Sequence, residues 1–187
     1  MHSAIGRGRS CEEDHLRPHP VSKPEIVTEN LELLLQSSEE LLASIDAMSP
    51  SDRVEVSPDW VARVKASASA DPWTHGFAVV QRAGGTVVGM CAYKGPPGPD
   101  GAVEIAYGIN PEFQGRGYAT EVARALVAFA FASGRVRLVS AHTRPEENAS
   151  THVLTKCGFE WIGEVIDPED GLVWRWELLP VPASHGA

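Results

Sequence analysis

The chain has 187 residues, 43% hydrophobic and 22% charged, with 25 acidic side chains against 16 Lys and Arg and a formal net charge of −9. That length suits one domain with a sizeable core. The acidic balance excludes the basic, phosphate-reading face that nucleic-acid binding requires, and it is compatible with a cationic or amine-bearing partner.

Residues 1–24 are polar and rich in Pro, Arg and His, and they are expected to form a loose leader. They lack the apolar stretch of a signal peptide, and the longest apolar run, 125–132, is far short of a membrane span. The three cysteines, Cys11, Cys91 and Cys157, are isolated and no CxxC pair occurs, so neither a disulfide framework nor a metal site is expected. A cytoplasmic protein without a membrane partner is the expectation.

The folded part is expected at 25–179, with a short flexible tail over 180–187. "IVTENLELLL" (26–35) reads as a first strand. Ser37 with Glu40 forms a capping box for a helix to about Met48, and Asp59 is the expected cap of a second, over 60–69. Two apolar runs in 77–93 enclose Ala83–Gly84–Gly85 and predict a hairpin. "GPPGPDG" (95–101) is a loop, and "AVEIAYGI" (102–109) is a strand in which Gly108 predicts a bulge or a splayed backbone. A helix follows over 117–132, then a strand over 136–143. The next helix, 148–157, has Asn148 as N-cap and Gly158 as its stop. A closing hairpin, 159–166 and 172–178, surrounds "DPEDG".

The stretch "FQGRGYAT" (113–120) places two glycines and an arginine directly before a helix. A helix N-terminus carries unpaired N–H groups and the positive end of the dipole. Gly115 and Gly117 let a ligand approach the backbone, Arg116 adds charge, and Gln114 and Thr120 are side-chain donors. The segment therefore suits a phosphate or pyrophosphate. It fits neither the dinucleotide fingerprint, since Thr120 stands where the third glycine belongs, nor the Walker pattern, since no Gly-Lys-Ser/Thr follows. The plainer alternative is a turn ahead of a core-packing helix.

Gln114–Gly115–Arg116–Gly117–Tyr118–Ala119 matches the Q/R-x-x-G-x-G/A signature of the GNAT superfamily of acyl-CoA-dependent N-acyltransferases. "VEIAYGINP" (103–111) resembles the family's central strand, "ENASTHVLTKCGFEWIG" (147–163) its next helix, and "DGLVWRWEL" (170–178) its final strand. Together they resemble the branch of ribosomal-protein N-terminal acetyltransferases, the RimJ/RimL-like enzymes. The resemblance implies a mixed α/β fold: a mostly antiparallel, six- to seven-stranded sheet with a central β-α-β acyl-CoA-binding unit and flanking helices. It implies acetyl-CoA as cosubstrate and no metal. The pyrophosphate would lie on Gln114, Gly115, Arg116, Gly117, Tyr118, Ala119 and Thr120. The pantetheine arm would run along Tyr107, Gly108 and Ile109, where the central strand splays at a bulge.

Glu104 is a charged residue inside an apolar strand, and the resemblance implies that it is the base, acting directly or through water. Its alternative is a strand glutamate that faces solvent or pairs with an arginine. Ser150 is the implied partner of the sulfur, with the plainer role of bonding helix backbone. Asn148 is a further contact to the cosubstrate, although the family's Asn position is filled here by Glu147. The family's usual acid, a tyrosine, is replaced by Leu154. His142 reads as a polar strand end where the cleft opens, with an imidazole whose ordinary basicity lies near neutrality as the alternative. Trp174 and Trp176 read as packing, with walls of the acceptor pocket as the alternative. The implied partner is an amine-bearing small molecule or a protein N-terminus, with the chain a monomer or homodimer. A module that binds acyl-CoA without turnover is the alternative.

Overall fold

The computed structural model describes residues 25–180 except 51, 52, 54, 55 and 169. The expected leader, and the tail beyond Pro180, lie outside these residues. The chain opens with β1 (Ile26–Val27) and β2 (Leu31–Leu35), an antiparallel pair. The single strand expected over 26–35 is thus two. Thr28 turns the chain: its backbone N–H and its hydroxyl both donate to Leu31 O, at 2.9 and 3.0 Å.

Helix α1 (Ser38–Ala47) begins at the expected capping box: Glu40 N donates to Ser37 Oγ at 3.2 Å, and Ser37 N donates to Glu40 Oε2 at 2.8 Å. Helix α2 (Pro58–Ala66) is capped by Ser57 and not by Asp59. Pro58 takes the first helical position, where its missing N–H is no loss, and this sets the cap one residue earlier. The expected hairpin follows as β3 (Phe77–Gln81) and β4 (Val87–Tyr93). Then come β5 (Ala102–Ile109), a 3-10 turn (Pro111–Phe113), α3 (Tyr118–Ala132), β6 (Leu138–Thr143), α4 (Ala149–Lys156), β7 (Glu160–Asp167) and β8 (Gly171–Leu178).

The strands form one mixed sheet in the order β1-β2-β3-β4-β5-β6-β8-β7. Only β5 and β6 are parallel, joined through α3. The count is eight strands, above the six or seven expected, because the first splits in two. Among the described residues no helix is long and apolar enough to cross a membrane.

The core lies between α3 and one face of the sheet. Val122, Ala123, Leu126 and Ala130 are fully buried there. Burying a side chain the size of Leu126 is worth about 1.5–3 kcal/mol. Tyr93 donates its hydroxyl to Leu126 O at 2.6 Å, and its ring lies 4.7 Å from that of Trp73. Strand alternation puts Val103, Ile105 and Tyr107 on this face, and Glu104 and Ala106 on the other.

The sheet divides at its centre. β5 and β6 pair only at Ala102–Leu138, Val103–Val139 and Glu104–Ser140, while β4 stays paired with β5 as far as Ile109. The bulge expected at Gly108 is absent: the β4–β5 register runs unbroken from Tyr93–Ile105 to Gly89–Ile109. The irregularity lies in the neighbouring ladder, at Val79/Val80. Gly89 allows the close β4–β5 approach, since a Cβ there would sit 2.1 Å from Gly108 O.

Candidate active site

Two structures flank the split: the loop before α3, and a polar cluster on the opposite face of the sheet. The loop is built from backbone. Gly115 and Gly117 adopt φ of +75° and +83°, and Gly117 caps α3 from the left-handed region without a side-chain hydrogen bond. Among the described residues, no acceptor takes the amides of 115–120. A Cβ on either glycine would meet nothing within 4 Å, so the space above the amides is open. Gln114 ties the loop to the end of β5 by donating from Nε2 to Ile109 O at 2.9 Å. Arg116 donates to Glu112 O at 3.2 Å and lies over the Phe113 ring at 5.3 Å.

Tyr118 is buried, with Gln81 Nε2 donating to its hydroxyl at 3.0 Å, so it offers the loop its amide. Ala119 is half-buried beside it. Thr120, Arg116, Arg124 and Lys156 line a cavity of about 970 Å³ on the outer side of α3. Glu25, Glu29 and Glu121 line the same cavity, Glu121 held by Thr28 and Asn30; the unpaired amides, the open space and Arg116 beside them are what suit an anion.

The ladder also sets which amides face the split. Lys94 N donates to Glu104 O, and Asn110 N donates to Val88 O. Antiparallel alternation then turns the even-numbered residues of β5 toward β4, and the amides of Tyr107 and Ile109 toward the gap left by β6. Gly108 is exposed between them. Tyr107 packs its ring on the core face, and burial, with a smaller contribution from Cys157, pushes its phenol up.

The split opens into a cavity of about 760 Å³ that reaches Ser150 and Leu154 on α4 and Ser57 and Pro58 at the start of α2. Glu104 lies on its wall, paired with a lysine rather than an arginine. Its Oε1 is 2.9 Å from Lys94 Nζ and 3.1 Å from His142 Nδ1. Lys94 also reaches Asp170 Oδ2 at 3.4 Å, and His142 Nδ1 is 3.9 Å from Asp167 Oδ2. Burial pulls the Lys94 ammonium down, but Glu104 and Asp170 outweigh it and leave it above its ordinary value. Glu104 Oε1 and His142 Nδ1 meet within ion-pair distance but without hydrogen-bond alignment, and His142 Nε2 has no partner at all, so these three buried polar atoms are unsatisfied.

The α4 residues divide by task. Asn148 Oδ1 accepts from Ser150 N at 2.9 Å and Thr151 N at 3.2 Å, and its Nδ2 donates to Glu146 O at 3.1 Å. Asn148 is therefore a helix cap outside the cavity, and the structure does not bring it to the site. Thr151 completes the cap, leaving the Ser150 hydroxyl uncommitted among the described residues. Leu154 closes the wall where a tyrosine would stand. Burial pushes the thiols of Cys91 and Cys157 up, which makes both poor nucleophiles.

Lys94, Asp167 and Asp170 are not signalled by the sequence, where His142 stays open between an imidazole of near-neutral basicity at the cleft and a plain strand end. One signal was present: His142 shares strand parity with Ser140, the register partner of Glu104.

A model of the acetyltransferase (GNAT) domain matches residues 25–160. The uncharacterized N-acetyltransferase p20 of Bacillus licheniformis is 26% identical over 93 residues, which is 50% of this chain and 52% of that protein. The chain spans about half the length of the curated relatives it matches. Among solved structures, a putative ribosomal-protein-serine acetyltransferase from Vibrio cholerae superposes with a TM-score of 0.59 at 24% identity, over 84% of this chain and 99% of that one. An aminoglycoside acetyltransferase in complex with coenzyme A and kanamycin superposes at 0.59 and 21%, over 80% and 94%. At these identities the likeness is one of fold.

Proposed function

Because the chain belongs to the GNAT acetyltransferase family, we propose that it transfers an acetyl group from acetyl-CoA to a primary amine. The acceptor is an amine-bearing small molecule or a protein N-terminal α-amino group. The ribosomal-protein (RimJ/RimL-like) branch is our reading of its place in the family, supported by the four motifs in register and by the likeness to the Vibrio cholerae protein.

The amides of 115–120, with Gln114, Arg116 and Thr120, hold the pyrophosphate. The pantetheine arm lies along the open edge of β5 at Tyr107, Gly108 and Ile109, and an amide there polarises the thioester carbonyl. The acceptor enters from the other face, past the start of α2. Its neutral nitrogen attacks the carbonyl carbon, a C–N bond forms, and the C–S bond breaks with its electron pair passing to sulfur. Glu104 draws off the proton that nitrogen sheds, directly or through an intervening group. The thiolate takes up one proton, with the Ser150 hydroxyl donating a hydrogen bond to it.

The observation that carries this reading is the parting of β5 from β6 after Glu104, which opens one cavity from Ser150 to Glu104. A second reading, an acyl-CoA-binding module without turnover, is favoured by Leu154 in place of an acid and by the lysine held against Glu104. CoA release against a panel of free-N-terminus peptides, polyamines, aminoglycosides and amino acids separates the two. We expect release with one class, reduced at least about a hundredfold in Glu104→Gln, with acetyl-CoA binding retained by calorimetry. Tight acetyl-CoA binding without release from any amine establishes the binding module. Full activity in Glu104→Gln removes Glu104 from proton transfer.

A further inference from the structure

His142 stands between Glu104 and the open cavity, and it carries no structural duty that the described residues reveal. Its imidazole has a carboxylate at one end only. Nδ1 lies 3.1 Å from Glu104 Oε1, within ion-pair reach though off hydrogen-bond alignment, while Nε2 is buried with no partner, and the ring lines the cavity. A buried ring nitrogen left unpaired costs stability unless something binding the cavity satisfies it.

The carboxylate beside it is already engaged by a cation: Lys94 Nζ sits 2.9 Å from Glu104 Oε1. Lys94 itself remains an ammonium, because Glu104 and Asp170 outweigh the effect of burial. A carboxylate fixed in this way can orient an imidazole and stabilise it once charged. The imidazole is the group whose intrinsic basicity suits proton transfer near neutral pH.

We infer that His142 Nε2 is the proton acceptor for the attacking amine, and that Glu104 acts through it as a positioning residue. This rests on the transferase reading above. The acceptor nitrogen, in its neutral form, approaches Nε2 from the acceptor side of the cavity. As the C–N bond forms, its N–H proton passes to Nε2, and the imidazolium is stabilised by Glu104. The C–S electron pair stays on sulfur. The thiolate then gains a proton from water and the imidazolium returns one to water, so the overall step is amine plus thioester to amide plus thiol.

The charges around the ring come from every strand beside it. Glu104 faces it from β5 and Asp167 from β7, at 3.1 and 3.9 Å. Arg175 is its register partner on β8, though Glu177 holds that guanidinium at 2.7 Å. Lys94 and Asp170 lie beyond Glu104. Arg144 lines the same cavity two residues along, but both ion-pair partners of the ring are carboxylates, which suits an imidazolium intermediate.

Three measurements test the proposal. In the wild type, with an amine that supports CoA release, kcat/KM falls on the acid side in two limbs, one from protonation of the amine and one from His142. In His142→Gln we expect kcat to fall at least about a hundredfold, the histidine limb to vanish while that of the amine remains, and the acetyl-CoA Kd by calorimetry to stay within about twofold. A nitrogen-15 spectrum of the imidazoles in the free wild type is expected to show His142 with its proton on Nδ1 and a bare Nε2. Glu104→Gln is expected to disturb that tautomer, which a purely structural histidine would not transmit to the pH profile. His142→Asn, smaller and polar, checks that the loss is not unfolding: an intact acetyl-CoA Kd with the same kinetic loss supports the proposal. Turnover within about threefold of wild type with both limbs retained in His142→Gln overturns it, as does a proton on Nε2 in the free protein. Failure of the wild type to release CoA with any amine refutes the transferase reading instead.

Discussion

The loop before α3 and the cluster behind the β5–β6 split line two cavities and are built of opposite materials. The loop offers backbone amides fixed by two left-handed glycines, and its side chains are tied off locally: Gln114 on Ile109 O, Arg116 on Glu112 O, Tyr118 on Gln81. The cluster offers side chains only, contributed by β4, β5, β6, β7 and the turn after β7, with Glu104 at the centre. Amides cannot titrate, so under the proposed function the loop would bind its anion at any pH. The cluster consists of carboxylates, an ammonium and an imidazole, and its chemistry depends on protonation. The binding half is thus insensitive to conditions, while the reacting half is tunable.

The comparison breaks if the two halves cannot be separated by substitution. Glu104→Gln is expected to lose the most: at least about a hundredfold in kcat, with acetyl-CoA affinity kept. Gly117→Val is expected to do the reverse. Its backbone, at φ +83°, costs a β-branched residue about 1–2 kcal/mol. The new side chain also covers the amides, so acetyl-CoA KM should rise roughly ten- to a hundredfold as charge-assisted hydrogen bonds worth about 1.5–3 kcal/mol are lost. kcat at saturation should change little. Steady-state kinetics of the two variants across pH 6–9 decides the matter: equal effects on kcat and KM in both would merge the two regions into one functional unit.

Gly89→Ala sharpens the distinction from the other side. Gly89 is not at a positive φ, and it contacts no ligand surface. Its Cβ would meet Gly108 O at 2.1 Å, a backbone atom that cannot swing away. Overpacking of this kind costs about 1–3 kcal/mol, and thermal unfolding should fall by roughly 3–9 °C for a chain of this size. Because β4 holds β5 in place beside the split, the loss should appear in stability first and in acetyl-CoA KM only as the edge of β5 shifts. A large rise in KM without a change in melting temperature would mean that the β4–β5 ladder is already slack.

The same contrast explains what could be read before the fold was known. The loop is eight contiguous residues, and its glycines, arginine and helix start appear together in the chain, so local chemistry was enough. The capping box at Ser37 and Glu40, the Asn148 cap and the α3 stripe were legible for the same reason. The cap at Ser57 was misplaced to Asp59 because both residue types cap helices and Pro58 decides between them. The bulge expected at Gly108 mistook an exposed strand edge for a distorted one; the glycine with a steric reason is its neighbour across the ladder, Gly89. Lys94 and Asp170 are 76 residues apart and meet only after β4, β5 and the β7–β8 hairpin take their register. No spacing in the chain carries that information.

Glu121 provides the smallest test, and it concerns how firmly the loop is anchored. It lies in the first turn of α3, where a carboxylate also complements the dipole. It accepts from Thr28 Oγ1 at 2.5 Å, Asn30 N at 2.8 Å and Asn30 Nδ2 at 3.0 Å, pinning the β1–β2 turn to the helix behind the loop. Burial raises its carboxyl, and the hydrogen bonds from Thr28, Asn30 and Leu31 outweigh that, so it stands below its ordinary value. The folded form therefore gains stability above the unfolded carboxyl pKa, about 4.3, and loses it as pH falls through the lowered folded value. The group is partly exposed, so solvent screening reduces the effect to a few tenths of a kcal/mol. Wild type should exceed Glu121→Gln by about 1–2 °C in melting temperature at pH 7, and the difference should close as the pH is lowered below 4.3. If acetyl-CoA KM rises in Glu121→Gln by less than about twofold while that difference appears, the loop owes its shape to its own glycines. A larger rise would mean that the amides are aligned from behind, by a carboxylate that acid can switch off, and that the loop shares some of the cluster's dependence on protonation.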